Sequence, residues 1–149
     1  MSLKTVRLKP NPAGKDRTPD GHASAAQLGG EWVDIQNSGT VALDVTGVRL
    51  CHVAYSDDGR RSWWDQIMEF KGVLGAGKVL RVHSGAGPES ALRQEDLAGA
   101  DHHLFTGKNY VWNNDKSDCS GLFLKGADQP FDKACYDAYP PEGDVLKRL

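Results

Sequence analysis

The sequence EWVDIQNSG at residues 31–39 alternates apolar and polar side chains and then ends in turn-forming residues. A period of two is typical of a β-strand with one buried face, and it places Val33 and Ile35 toward a core. The residues predicted to face away from that core are Trp32, Asp34 and Gln36. Asn, Ser and Gly at the end of such a run favour a tight turn. This stretch therefore predicts a fold built from short, half-buried strands.

The same alternation recurs on both sides of this strand, in runs separated by Gly, Asn, Asp and Pro. The runs predicted to be strands are residues 5–9, 41–45, 48–55 and 79–83, with a hairpin formed by 122–125 and 131–136. Residues 63–70 mix two tryptophans with other apolar side chains and predict an irregular or edge strand. The total is about seven to nine strands, and a sandwich of two sheets is the natural way to bury that many half-apolar strands.

The segments between the strands predict one short helix and two irregular regions. Residues 88–98 favour a helix because Pro88 and Glu89 suit its first turn, Leu92 and Leu97 can face inward, and Gly99 can end it. Residues 11–30 are predicted to be a long loop, and the tail after Pro141 is predicted to be loose. We expect a single domain over residues 1–149 with its core at about residues 3–139.

Composition limits the class of protein. The chain has 149 residues, 17 of them glycine, and 18 basic against 20 acidic side chains give a net charge of −2. This charge argues against strong nonspecific binding to phosphate backbones. No apolar run is long enough to predict a membrane span, and the first 20 residues lack the apolar block of a signal peptide. Because the opening Met-Ser-Leu is compatible with replacement of a removed signal, the compartment stays open.

Three stretches together resemble the lamin-tail domain. The first is residues 31–39, an acidic-aromatic-valine strand ending in Asn and Gly, followed at 43–50 by a Leu-x-x-x-Gly-x-x-Leu run. The second is the glycine turn at 74–77 with its following strand, and the third is the Trp-Asn-Asn loop at 112–115 with the closing hairpin. The resemblance implies an all-β, immunoglobulin-like antiparallel β-sandwich. It also implies a noncatalytic protein-interaction module, since the family serves this role in nuclear lamins and accompanies secreted hydrolases and nucleases in bacteria.

Motifs for catalysis or metal binding are incomplete. Residues 72–78 match the start of a phosphate-binding loop, but Val79 stands where a hydroxyl must bind magnesium and a strand follows where the motif needs a helix. The loop from Asn113 to Asp118 offers oxygens at alternate positions, which leaves a weak calcium site open beside an ordinary polar loop. His102 and His103 are adjacent and lack a framing carboxylate motif, so exposed loop histidines are expected. We predict no enzyme activity, no cofactor and no metal centre.

The three cysteines lack the C-x-x-C spacing of a zinc site. In a hairpin centred near Ala127, Cys119 and Cys135 lie about opposite each other, so a cross-strand disulfide is one alternative. It would suit an extracytoplasmic origin. The other alternative is three reduced, packed thiols, and Cys51 stays unpaired in both.

The sequence RRSWW at residues 60–64 is the strongest candidate for a binding surface. Arg and Trp are enriched at binding hot spots, and two adjacent tryptophans on an extended segment cannot both face one core. One interpretation buries one indole in the core and packs the other under residues 11–30. The other makes Arg60, Arg61, Trp63 and Trp64 a contact patch for a protein partner or a second copy of the chain. An alternative function for the same patch is nucleic-acid binding by stacking, aided by the arginines.

Overall fold

Strands dominate the computed structural model, which describes residues 1–148. The strands are β1 (Leu3–Lys9), β2 (Trp32–Asn37), β3 (Leu43–Asp44), β4 (Arg49–Tyr55), β5 (Ser62–Glu69), β6 (Val73–Leu74), β7 (Val79–His83), β8 (His102–Phe105), β9 (Asp118–Phe123), β10 (Asp132–Tyr136) and β11 (Leu146–Lys147). Two short helices, α1 (Ala25–Gly29) and α2 (Gln94–Leu97), and a 3-10 turn at Glu89–Ala91 complete the described secondary structure. Eight strands have four residues or more, and the other three have two. The eight longer strands agree with the predicted seven to nine.

The strands form an all-β sandwich, as the sequence predicts. One sheet has the order β11-β1-β2-β7-β8, the other has the order β10-β9-β4-β5, and β3 and β6 form a two-stranded ribbon. Side chains from both large sheets meet in one core, which includes Leu3, Val33, Ile35, Leu50 and Leu122. The pairing of β7 with β8 is parallel, which differs from the predicted antiparallel sandwich. A parallel pair needs a crossover connection, and residues 84–101 supply it.

Strand β2 is buried on both of its faces. Val33 and Ile35 are fully buried in the core, as predicted. Trp32 and Asp34 face away from that core, also as predicted, but they are buried as well, so the expectation of a strand with only one buried face is wrong. A layer outside the sheet covers them, since Trp32 Nε1 donates a 2.9 Å hydrogen bond to Asp96 of α2. The strand pattern cannot reveal this layer, because alternation reports only that the two faces differ in polarity.

The covering layer contains the two short helices and corrects two predictions. Helix α1 lies inside the segment predicted to be a loop, and Ser24 caps it by accepting a hydrogen bond from the Gln27 amide. The helix predicted over residues 88–98 is interrupted, since Arg93 is extended between the 3-10 turn and α2. Leu92 occupies the space beside Gly29, where an added Cβ would lie 2.2 Å from Leu92 Cδ2. This contact locks the two segments together.

Strands β5 and β11 are two of the four edge strands of the large sheets. Strand β5 is the predicted irregular edge strand, with a register shift opposite Leu50 and Cys51 of β4. The tail after Pro141, predicted to be loose, instead contributes β11, which pairs with β1 at Leu8 and Leu146. Arg148 Nη1 extends this contact to Asp132 in the other sheet. Among residues 1–148, no helix is long and apolar enough to cross a membrane.

Candidate interaction site and buried polar clusters

The turn between β4 and β5 presents Arg60 and Arg61 to solvent. Ser56 organises this turn, because its hydroxyl donates to Asp58 and accepts from the Arg61 amide. The Asp58 carboxylate also accepts from the Arg60 amide, at 3.0 Å. These bonds use only the backbones of the two arginines, and neither guanidinium forms an ion pair within residues 1–148. Both charges therefore remain available to a partner.

Trp63 and Trp64 lie on opposite faces of β5. The Trp64 ring packs edge-on against Phe123, with 5.3 Å between ring centres, on the face of the four-stranded sheet turned away from the core. Gly121 makes room for it, since an added Cβ there would lie 2.7 Å from Trp64 Cζ3. Trp63 is 49% exposed. Neither indole belongs to the buried core, so the interpretation that places one of them there is wrong.

The charge around this patch is mixed. Asp57 and Asp58 are exposed on the same turn as the arginines, and Lys116 reaches the turn from another loop, with its ammonium 5.5 Å from the centre of the Tyr55 ring. Asp65 follows the tryptophans on β5 and is 53% exposed, with one oxygen 3.6 Å from His52 Nε2. Basic and acidic groups thus alternate along this edge rather than forming one positive field.

The face of the sheet that carries Trp64 also carries the cysteines. Cys119 and Cys135 lie directly opposite each other in the β9–β10 ladder and are joined by a disulfide, with 4.0 Å between their Cα atoms. Cys51 is a buried free thiol on the neighbouring strand β4. Burial raises the pKa of the Cys51 thiol, which keeps it protonated and unreactive near neutral pH.

Of the two carboxylates in the loop at residues 113–118, Asp115 is exposed and Asp118 forms hydrogen bonds within the protein. Asp118 is buried, and its Oδ2 accepts from the Asn113 amide and side chain and lies 3.0 Å from His52 Nδ1. Its Oδ1 accepts from the amides of Val53 and Cys119 at 2.7 Å. Asp118 therefore ties the loop to strands β4 and β9 and has no free lone pair aimed at a cation. Residues 1–148 contain no group of three or more acidic, His or Cys side chains arranged to hold a metal.

The histidines of β8 differ from the expected exposed pair. His102 is exposed, but His103 Nδ1 lies 2.7 Å from His83 Nε2, and the two rings stack. His83 Nδ1 must donate to the Gly29 carbonyl at 2.6 Å, because a carbonyl only accepts. Burial lowers the pKa of His83 to about 4, so its neutral ring accepts from His103 through Nε2. This chain of hydrogen bonds fixes both rings against α1.

A buried ionic cluster, which no sequence motif predicts, lies between the five-stranded sheet and the covering layer. Asp34 accepts from Arg81 through Nε at 2.7 Å and Nη2 at 2.9 Å, and from Arg7 at 2.7 Å. Arg81 also donates to the carbonyls of α2 and the residue after it, and its guanidinium lies 3.6 Å from the centre of the Trp32 ring. Lys9 pairs with Asp96 next to this group. The signal available in the sequence was a charged residue, Arg7, Asp34 or Arg81, inside each of three predicted strands.

The buried carboxyl of Glu31 connects the residue before β2 to two other segments. Glu31 Oε1 accepts from the Ser84 hydroxyl and from the amides of Val111 and Trp112. Its Oε2 is buried without a hydrogen-bond partner in the described chain. Burial raises the pKa of Glu31 to about 7. The groups that donate hydrogen bonds to Glu31 are all buried or half-buried. Glu31 therefore stabilises the fold and is not presented to a substrate.

No family model matches the chain, and no curated protein matches it significantly. The resemblance to lamin-tail domains therefore stays a prediction that rests on the residues that carry it.

Proposed function

We propose that this protein is a noncatalytic β-sandwich interaction module of lamin-tail type that contacts a protein partner through Arg60, Arg61, Trp63 and Trp64. The observation that carries the proposal is Trp63, a large aromatic side chain that is 49% exposed beside two arginines without ion-pair partners in residues 1–148. Aromatic and Arg side chains of this kind are enriched at hot spots. An immunoglobulin-like sheet arrangement is part of the same proposal.

The two tryptophans contribute differently to stability, and this difference shapes the test. Trp64 supports Phe123 across the sheet, so truncating it is expected to cost about 2–3 kcal/mol of unfolding free energy. Trp63 has half of its side chain in water, and Trp63→Ala is expected to cost about 1 kcal/mol or less. Trp63 is therefore the better probe of binding, because its loss leaves the fold intact.

The test is affinity capture from native lysate with the wild type, Trp63→Ala and Tyr139→Ala. Tyr139 is a matched control because it is an exposed aromatic, at 79%, outside the patch. We expect the same proteins to be retained by the wild type and Tyr139→Ala and lost with Trp63→Ala, while all three melt at similar temperatures. Equal capture by all three would refute a role for the patch.

The second candidate function is nucleic-acid binding through the same four residues. The exposed indole next to free guanidinium groups favours it, because base stacking and cationic contacts occur together in single-strand binding. The carboxylates of Asp57 and Asp58 on the same turn oppose it. Binding of a single-stranded oligonucleotide is measured over a salt series, and affinity that does not rise as salt is lowered would eliminate this function.

A further inference from the structure

The backbone of β5 offers hydrogen bonds on its open side. Val53, in the neighbouring strand, turns both of its backbone groups away from β5, since its amide donates to Asp118 and its carbonyl accepts from Asn113 Nδ2. Trp64 lies directly opposite Val53. In an antiparallel pair, two opposed residues turn their backbone groups either toward each other or both away. The amide and carbonyl of Trp64 therefore point to the open edge.

The period of two gives Ser62 and Gln66 the same orientation. The Gln66 carbonyl agrees with this assignment, because it accepts a 3.2 Å hydrogen bond from Lys108 Nζ, which reaches the edge from outside the sheet. Within the described chain, the backbone groups of Ser62 and Trp64 have no hydrogen-bond acceptor or donor on that side. The free part of the edge is therefore short and centred on Trp63.

Charges on this part of the edge complement each other when two copies of β5 pair in the antiparallel direction. Arg61 precedes Trp63 by two residues and Asp65 follows it by two, and their side chains share one face with Trp63. A second β5, antiparallel and related by a twofold axis at Trp63, would set Arg61 of each copy opposite Asp65 of the other. Unlike charges directly opposite each other stabilise an antiparallel pair, and so do facing aromatic side chains.

From this complementarity we propose that a second copy of the chain adds its β5 to this edge, with the twofold axis at Trp63. This inference rests on the proposed function, and it names the partner of the same patch. Ser62 of each copy pairs with Trp64 of the other through backbone hydrogen bonds, and the two Trp63 side chains face each other. The result is a continuous sheet of eight strands that runs through both copies.

Two neighbouring registers fit less well. An axis at Asp65 would oppose two carboxylates, which is unfavourable. An axis at Trp64 would pair Ser62 with Gln66, whose carbonyl is already bonded to Lys108. Of these three registers, only the one with its axis at Trp63 uses free backbone groups together with unlike charges. Because the paired segment is short, the dimer is expected to be weak and concentration-dependent.

Charge exchange in the purified full chain tests this pairing by sedimentation velocity over a concentration series. Arg61→Asp and Asp65→Arg are each expected to raise the dissociation constant of the dimer at least about tenfold, since each places like charges opposite each other at two positions. The double variant restores unlike charges and is expected to return the constant close to the wild-type value. Glu69→Arg is the matched control, because Glu69 is exposed on the same strand but lies outside the paired segment. Circular dichroism melting checks that each variant is folded. If Asp65→Arg does not fold, the dissociation constant of Arg61→Asp alone tests the pairing.

Several results would overturn the proposal: a wild type that stays monomeric at the highest concentration, a double variant that fails to recover, or Glu69→Arg weakening the dimer as much as Asp65→Arg. The proposed function fails differently. If the wild type is monomeric but Trp63→Ala still loses captured proteins, the patch binds another partner and only the second copy is excluded. If Trp63→Ala changes neither capture nor self-association, both proposals fall.

Discussion

Replacing Asp34 by Asn tests how much of the stability depends on the buried ionic cluster. The substitution preserves the size of the side chain and removes its charge. Asp34 is fully buried and holds Arg81 through two hydrogen bonds and Arg7 through one. Only the Arg7 side chain, which is 32% exposed, can turn to water, whereas that of Arg81 is 3% exposed.

The expected cost follows from Arg81. Breaking a buried ion pair by removing one partner costs about 3–5 kcal/mol, because the other charge stays buried without compensation. Arg81 keeps its bonds to the carbonyls of Asp96 and Ala98 and its contact with the Trp32 ring, so the lower end of that range applies. We expect Asp34→Asn to lose about 3 kcal/mol of unfolding free energy, which for a chain of this length lowers Tm by about 10 °C.

The measurement is urea unfolding at neutral pH, with a shift of the midpoint at constant slope as the sign of a change in stability alone. Arg81→Gln is expected to cost as much as Asp34→Asn, and Arg7→Gln about 1 kcal/mol or less, since partly exposed pairs contribute little. A loss below about 1 kcal/mol for Asp34→Asn would refute the reasoning. Equal costs for Arg7→Gln and Arg81→Gln would show that burial does not govern the cluster.

Two further predictions concern pH and the thiols. Burial raises the pKa of Glu31 from 4.5 to about 7 and lowers that of His83 from 6.5 to about 4, so between pH 4.5 and 6.5 unfolding releases a proton from Glu31 and takes one up at His83. These two effects cancel in the wild type, whereas in Glu31→Gln only the effect of His83 remains. As the pH is raised through that window, the unfolding free energy of Glu31→Gln should therefore increase relative to that of the wild type by about 1.4 kcal/mol per pH unit. Parallel pH profiles of the two proteins would contradict this. Alkylation without reductant, followed by intact mass, should add no group to the native protein and one group, on Cys51, after denaturation, whereas three groups would exclude the disulfide between Cys119 and Cys135.

The strands and much of their pairing follow from local sequence. Alternation identified the core-facing Val33 and Ile35, because a strand presents successive side chains to opposite faces whatever surrounds it. The hairpin spacing predicted that Cys119 and Cys135 lie opposite each other, since a turn fixes the register of the strands it joins. The sequence also predicted that Trp63 and Trp64 lie on opposite faces of β5.

The sequence alone determined an all-β chain of short strands and one buried face of β2, and it left open whether the Arg/Trp segment at residues 60–64 is exposed. Only the tertiary structure decided that the second face of β2 is also buried, because that depends on helix α2, which is distant in sequence, and on helix α1, which forms within a segment predicted to be a loop. Asp34 is buried because Arg81, 47 residues away, neutralises it, and Trp64 is half-buried because Gly121 leaves room for its ring. Periodicity reports which way a side chain points, whereas what covers it is decided by segments that only folding brings together.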